Sequence, residues 1–108
     1  MVRQLSVSEL ARLLEHGASC LLVDVRQEWE HAVAALPQSL LIPLGELAER
    51  ADEVVAPGGT LVVAYCHHGV RSLSAAAMLE AAGHRDVVSL AGGIDAWSRE
   101  IDPRMPRY

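Results

Sequence analysis

Little of this 108-residue chain is aromatic or cysteine: two tryptophans, two tyrosines, no phenylalanine and two cysteines, Cys20 and Cys66. It has no basic run and no polar tract interleaved with aromatics. With a formal net charge of -5 and a pI near 5.4, that argues against a surface for nucleic acid or for an anionic membrane. No apolar stretch approaches the ~20 residues of a membrane span. The opening Met-Val-Arg-Gln-Leu-Ser6 lacks the apolar core of a secretory signal, so a soluble, cytoplasmic protein is expected. Two cysteines are too few for a disulfide framework. They could pair with each other, but in a reducing compartment one reactive and one structural thiol is the expectation. Linkers, repeats and low-complexity segments are also missing, so residues 1–108 read as one domain. Its 51% hydrophobic content suffices to bury a core.

What is present is an alternation of strand-like and helix-like segments. Ser6-Val-Ser-Glu9 has capping-box spacing, and Leu10, Leu13 and Leu14 follow at helical intervals as far as Gly17, which predicts a helix over about residues 7–16. Residues 20–25 form a continuous apolar run, the pattern of a strand covered on both faces. A short piece over 40–42 is closed by Pro43, and 44–50 reads as a second helix. The Pro57-Gly-Gly59 turn leads into a central strand at 60–65. A helix from Leu73 to about Ala82 stops at Gly83; residues 87–90 make another strand, 91–93 a turn and 94–101 a closing helix. Strands separated by helices predict an α/β fold, a central parallel sheet with helices on both faces.

Cys66 stands where the central strand ends, and the loop Cys66-His-His-Gly-Val-Arg-Ser72 leads into the next helix. In open parallel sheets, ligands sit beyond the carboxyl ends of the strands. A helix N-terminus presents unpaired N–H groups and the positive end of the macrodipole, which favour an anion. A cysteine there is favoured as the thiolate, the reactive form, so Cys66 is the candidate nucleophile. The N–H groups of His67 to Ser72 are expected to curl around its sulfur. Gly69 allows the tight turn. Val70 lies within the ring, and Arg71, its permanent cation, would hold an oxyanion or lock the loop to a carboxylate.

These residues carry a resemblance. Asp24-Val-Arg26 with Trp29-Glu30, Ile42-Pro43, Tyr65 to Ser72, and Leu90-Ala-Gly-Gly-Ile-Asp-Ala-Trp97 occur in the order and spacing of a single-domain rhodanese, a sulfurtransferase. The likeness spans nearly the whole chain, and the ending Ile101 to Tyr108 resembles the tails of rhodanese domains found alone or fused to sulfur-carrier activating enzymes. It implies that Cys66 carries a transferable sulfur as a persulfide without a cofactor. The implied partners are a small-molecule donor of the thiosulfate type and a thiol, cyanide or sulfur-carrier protein acceptor, with no nucleic acid and no membrane. His67 departs from the Arg or Lys that many thiosulfate-using relatives carry after the cysteine. Gln38 replaces a glycine in Ala35-Leu-Pro-Gln-Ser39, so a different turn is expected there.

Two other functions share the features. A tyrosine-phosphatase-like or arsenate reductase enzyme also uses a cysteine loop closed by arginine, but with one more residue between them than the four here, His67 to Val70. A non-enzymatic sulfur-relay or binding module is the other. Metal binding is not expected, since adjacent histidines on a tight loop usually point apart and no third ligand stands at zinc-site spacing. Asp24, Arg26 and Glu30 are expected to form a buried scaffold with an Arg–carboxylate pair. Trp29 and Trp97 read as core anchors and Cys20 as a packed thiol. His16, His31 and His84 have no partner nameable from the sequence.

Overall fold

The computed structural model describes residues 2–108. Its strands are β1 (Arg3–Leu5), β2 (Cys20–Asp24), β3 (Leu40–Leu41), β4 (Leu61–Tyr65) and β5 (Val87–Leu90). They form one sheet in the order β1-β5-β4-β2-β3, with every neighbouring pair parallel. The β2–β4 register pairs Cys20 with Leu61 and Asp24 with Tyr65. Both strands therefore finish at one level, and Val25 and Arg26 leave the sheet beside Cys66.

Helices α1 (Val7–Glu15) and α5 (Gly93–Glu100) cover one face. Val7 and Leu10 pack with Ile94 and Trp97 against Leu22, Val63 and Leu90. On the opposite face, α3 (Leu47–Arg50) and α4 (Arg71–Ala81) bring Leu47, Ala75, Ala76 and Leu79 onto Val23, Val62, Ala64 and Val87. The side-chain period of two along each strand divides these residues between the faces, so each central strand must be apolar throughout. Each aliphatic side chain buried this way contributes roughly 1.5–3 kcal/mol. The expected parallel sheet with helices on both faces is thus observed.

Some local expectations give way. β1 was not anticipated, because a three-residue edge strand, largely exposed, has too few positions to show a pattern. Helix α2 (Glu28–Val33) was missed as well, since only Glu30 of its six residues is buried and no apolar stripe marks it. The segment expected as a helix over 44–50 is a 3-10 turn (Leu44–Glu46) that continues into the single turn α3. Trp97 is an anchor, but Trp29 is 60% exposed; it sits on the outer face of α2 and stacks edge-on against Tyr108. Gln38 adopts φ +60°, so it occupies the left-handed conformation that glycine would take there without steric cost.

Candidate active site

Cys66 follows the last residue of β4 and is 1% exposed. Two N–H groups point at its sulfur: Gly69 N donates to Sγ at 3.2 Å and Ser72 N at 3.4 Å. The sulfur also meets the Ser72 hydroxyl at 3.5 Å, and that hydroxyl shares a 2.7 Å hydrogen bond with Ser89 on β5. The ring of donors is thus narrower than the stretch from His67 to Ser72, with Gly69 and Ser72 supplying its N–H groups. α4 begins at Arg71, with Val70 as its cap residue and no side chain capping it. The orphan N–H groups of the first turn are therefore left to the loop and the sulfur.

Glycines at two places make the loop possible. Gly69 has φ +95°, and a Cβ there would meet Gly92 N at 3.0 Å and Leu90 O at 3.2 Å. Gly93, at φ +59°, lies so close that a Cβ would overlap the carbonyls of Cys66 and His67. That close approach lets the first turn of α5 donate to the loop, Ile94 N to Cys66 O at 2.9 Å and Asp95 N to His67 O at 3.0 Å. The Ala91-Gly-Gly93 turn expected from the sequence therefore holds the cysteine loop from below.

Arg71 takes the bracing role of the two left open. Its guanidinium donates Nη1 to Glu30 Oε1 at 2.7 Å and Nη2 to Oε2 at 3.0 Å. Glu30 also accepts from Gln27 N, capping α2, and from the Tyr108 hydroxyl at 2.8 Å. The Arg71 guanidinium, more than the capping N–H or Tyr108, holds the Glu30 carboxyl down at about 2 despite its burial. The same pair raises Arg71.

The scaffold beneath is a second pair. Arg26 and Asp24 are both fully buried, and Arg26 donates Nε to Asp24 Oδ1 at 2.8 Å and Nη2 to Oδ2 at 2.7 Å. Arg26 Nη2 also donates to Ala34 O, and Nη1 to the Tyr108 hydroxyl at 2.7 Å. His31 lies 2.7 Å from Asp24 through Nδ1. Asp24 and Arg26 thus form the expected scaffold, whereas Glu30 pairs with Arg71 of the cysteine loop. Tyr108 links the two pairs, accepting from Arg26 and donating to Glu30. Burial first, joined by the Glu30 carboxylate and opposed by Arg26, pushes its hydroxyl up to about 12, so it stays protonated and able to donate at neutral pH.

The two loop histidines do not point apart. Their rings stack at 3.9 Å between centroids, and the His67 ring lies parallel to Tyr108 on its other side at 4.0 Å. Chain direction makes neighbouring side chains diverge only in extended backbone, and this loop is tightly turned. Burial first, and then the neighbouring His68, lowers the pKa of His67. Cys20 is half-buried at the start of β2, and burial raises its thiol. His16 accepts no distant partner; its Nδ1 lies 2.7 Å from Arg12 O at the end of α1. Ser89, Asp95 and Tyr108 were not singled out from the sequence, because each reaches the loop from an element distant in the chain.

A family model for the rhodanese-like domain matches residues 6–100. A sulfurtransferase of Allochromatium vinosum is 36% identical over 99 residues, covering 92% of this chain and 91% of its own. The adenylyltransferase and sulfurtransferase uba4 of Ogataea parapolymorpha is 37% identical over 87 residues, 81% of this chain. This chain spans only 22% of that protein's length, and 26% of the probable adenylyltransferase/sulfurtransferase MoeZ of Mycobacterium tuberculosis. Among solved structures, the human single-domain sulfurtransferase TSTD1 superposes with a TM-score of 0.78 at 27% identity, covering 93% of this chain and 98% of that one. No helix among the described residues is long and apolar enough to cross a membrane.

Proposed function

The chain belongs to the rhodanese-like domain family, and from that premise we propose that it is a sulfurtransferase of the thiosulfate type whose Cys66 carries sulfane sulfur as a persulfide. The observation that carries this reading is the pair of N–H groups, from Gly69 and Ser72, aimed at one buried sulfur. Both the attacking thiolate and the loaded persulfide are anions. A preorganised set of donors stabilises each without reorganising between steps.

The Cys66 thiol gives its proton to solvent, and the thiolate attacks the outer sulfur of thiosulfate. The new S–S bond forms as the bond to the sulfonate sulfur breaks, and sulfite leaves with the electron pair. A thiolate, cyanide or protein acceptor then attacks the outer sulfur of Cys66-S-S⁻ and regenerates the Cys66 thiolate. Such covalent catalysis gives ping-pong kinetics. While the sulfur is anionic, the Ser72 hydroxyl turns to donate to it and accepts from Ser89, so the polar pair of buried hydroxyls remains satisfied in both states. Val70 is exposed on the loop's outer side. His67 and His68 tune the binding of an anionic donor.

The phosphatase reading draws on the same scaffold, but two features weigh against it. Four residues between Cys66 and Arg71 leave a ring sized for one atom. The arginine that would clasp phosphate oxygens is committed to Glu30 through both terminal nitrogens. The test is a transfer assay to cyanide with thiosulfate, mercaptopyruvate and glutathione persulfide as donors, run beside an aryl phosphate hydrolysis assay. Turnover with thiosulfate and none with the phosphate is expected. Phosphate hydrolysis without sulfur transfer from any donor would overturn the proposal.

A further inference from the structure

We propose that the loop histidines and α5 form a binding site for a divalent zinc-like metal ion, built from His67, His68 and Asp95. One ligand atom from each lies within 4.8 Å of the other two. Two imidazoles and a carboxylate are a donor set that suits zinc, and three protein ligands leave a further position open.

The site is built rather than incidental. His67 and Asp95 are tied by the 3.0 Å hydrogen bond from Asp95 N to His67 O, which fixes their backbones relative to one another. Gly93 makes that approach possible, since no Cβ fits there. His67 is further held by its parallel stack on Tyr108, so one imidazole is oriented before any ion arrives. His68 is exposed and can turn toward an ion at the cost of its stack on His67. Metal–ligand bonds of about 2.0–2.2 Å place neighbouring ligand atoms about 3.4 Å apart in a tetrahedron. Rotation of the His68 side chain is the movement that closes the difference. Asp95 also receives Arg99 Nε at 3.0 Å and faces Arg107 at 3.9 Å. A carboxylate has about four lone-pair sites, so Arg99 can stay in place while another lone pair meets the ion. The fold therefore supplies the third ligand that spacing along the chain does not. The site adjoins Cys66 without using its sulfur.

Zinc chloride titrated calorimetrically into the full chain tests this, with the Cys66→Ser protein separating the triad from capture by the thiolate. One ion per chain is expected in both. His68→Ala and Asp95→Asn should each weaken binding tenfold or more, with melting temperatures confirming folded variants. In addition, the imidazole ¹⁵N resonances of His67 and His68 should shift together on saturation. Unchanged affinity in either variant, or loss of binding in Cys66→Ser, overturns the site. Sulfur transfer is not read in these titrations, so their failure leaves the assignment of Cys66 standing.

Discussion

Two cysteines occupy adjacent, parallel strands, and almost everything about them differs. Cys20 opens β2, opposite Leu61, while Cys66 follows the last residue of β4 at the sheet's other end. Cys20 is half-buried beside apolar side chains such as Leu22 and Trp97, and burial raises its thiol. Cys66 is more deeply buried, yet it receives two N–H groups at the start of an α-helix. Burial alone disfavours a thiolate, whereas N–H groups aimed at a sulfur stabilise negative charge on it. On the proposed function, what separates an inert thiol from a nucleophile is which end of a parallel strand it occupies, since helix N-termini gather only at the carboxyl end.

Exchanging the chemistry at the carboxyl end gives the largest expected effect. Cys66→Ser should reduce sulfur transfer to background while leaving the circular dichroism and melting temperature near native, because an alcohol is barely ionised and cannot form a persulfide. Next comes the ring itself. One glycine inserted between His68 and Gly69 moves the Gly69 donor away from the sulfur and should slow persulfide formation more than tenfold. Little phosphatase activity should appear in exchange, because no general acid is supplied for the leaving group. Both reactions are to be assayed on both loops.

Bracing should matter less than the donors it positions. Arg71→Lys keeps the charge but loses the fork that grips both Glu30 oxygens, and thiosulfate efficiency should fall by roughly tenfold, about 1.4 kcal/mol. Glu30→Gln should lower it too, and the double variant should lose less than the sum, since both remove one interaction.

The same pair sets an acid signature. Glu30 has a folded-state value of about 2, below its ordinary 4.5, so its contribution to stability is complete above about pH 4.5 and is lost as pH falls toward about 2. Urea midpoints of native and Glu30→Gln proteins should differ most near neutrality and converge at acid pH. A constant difference would mean that the ion pair is not what stabilises the brace.

The smallest effect belongs to the other cysteine. Cys20→Ala should leave the transfer rate unchanged and cost on the order of 1 kcal/mol in packing, read as a shift in the urea midpoint. Loss of activity in a folded Cys20→Ala protein would break the contrast by making Cys20 a relay.

The central strands, α1, the cysteine loop and the glycine turn beneath it are legible in the sequence because each is written in consecutive residues: apolar runs, a capping box, a strand end followed by a helix start. The brace is not. Glu30 and Arg71 stand 41 positions apart, and Glu30 and Tyr108 stand 78 apart, so nothing local announces that they meet. A carboxylate and an arginine near a buried strand show that pairing is needed, without saying which pairs with which. Asp24, Arg26 and Glu30 looked like one scaffold. The tertiary structure splits them, Asp24 keeping Arg26 while Glu30 reaches the loop. The stacked histidines were likewise hidden, because ring orientation follows from how tightly the loop turns onto α5.

The claim that position makes Cys66 the sulfur carrier is tested most directly by peptide-mapped mass spectrometry after incubating the reduced protein with thiosulfate and capping exposed thiols. The account predicts one added sulfur atom, on the peptide containing Cys66, removed by subsequent cyanide, and an unmodified Cys20 peptide. Sulfur on Cys20, or none on Cys66 in a protein that turns over thiosulfate, would contradict it.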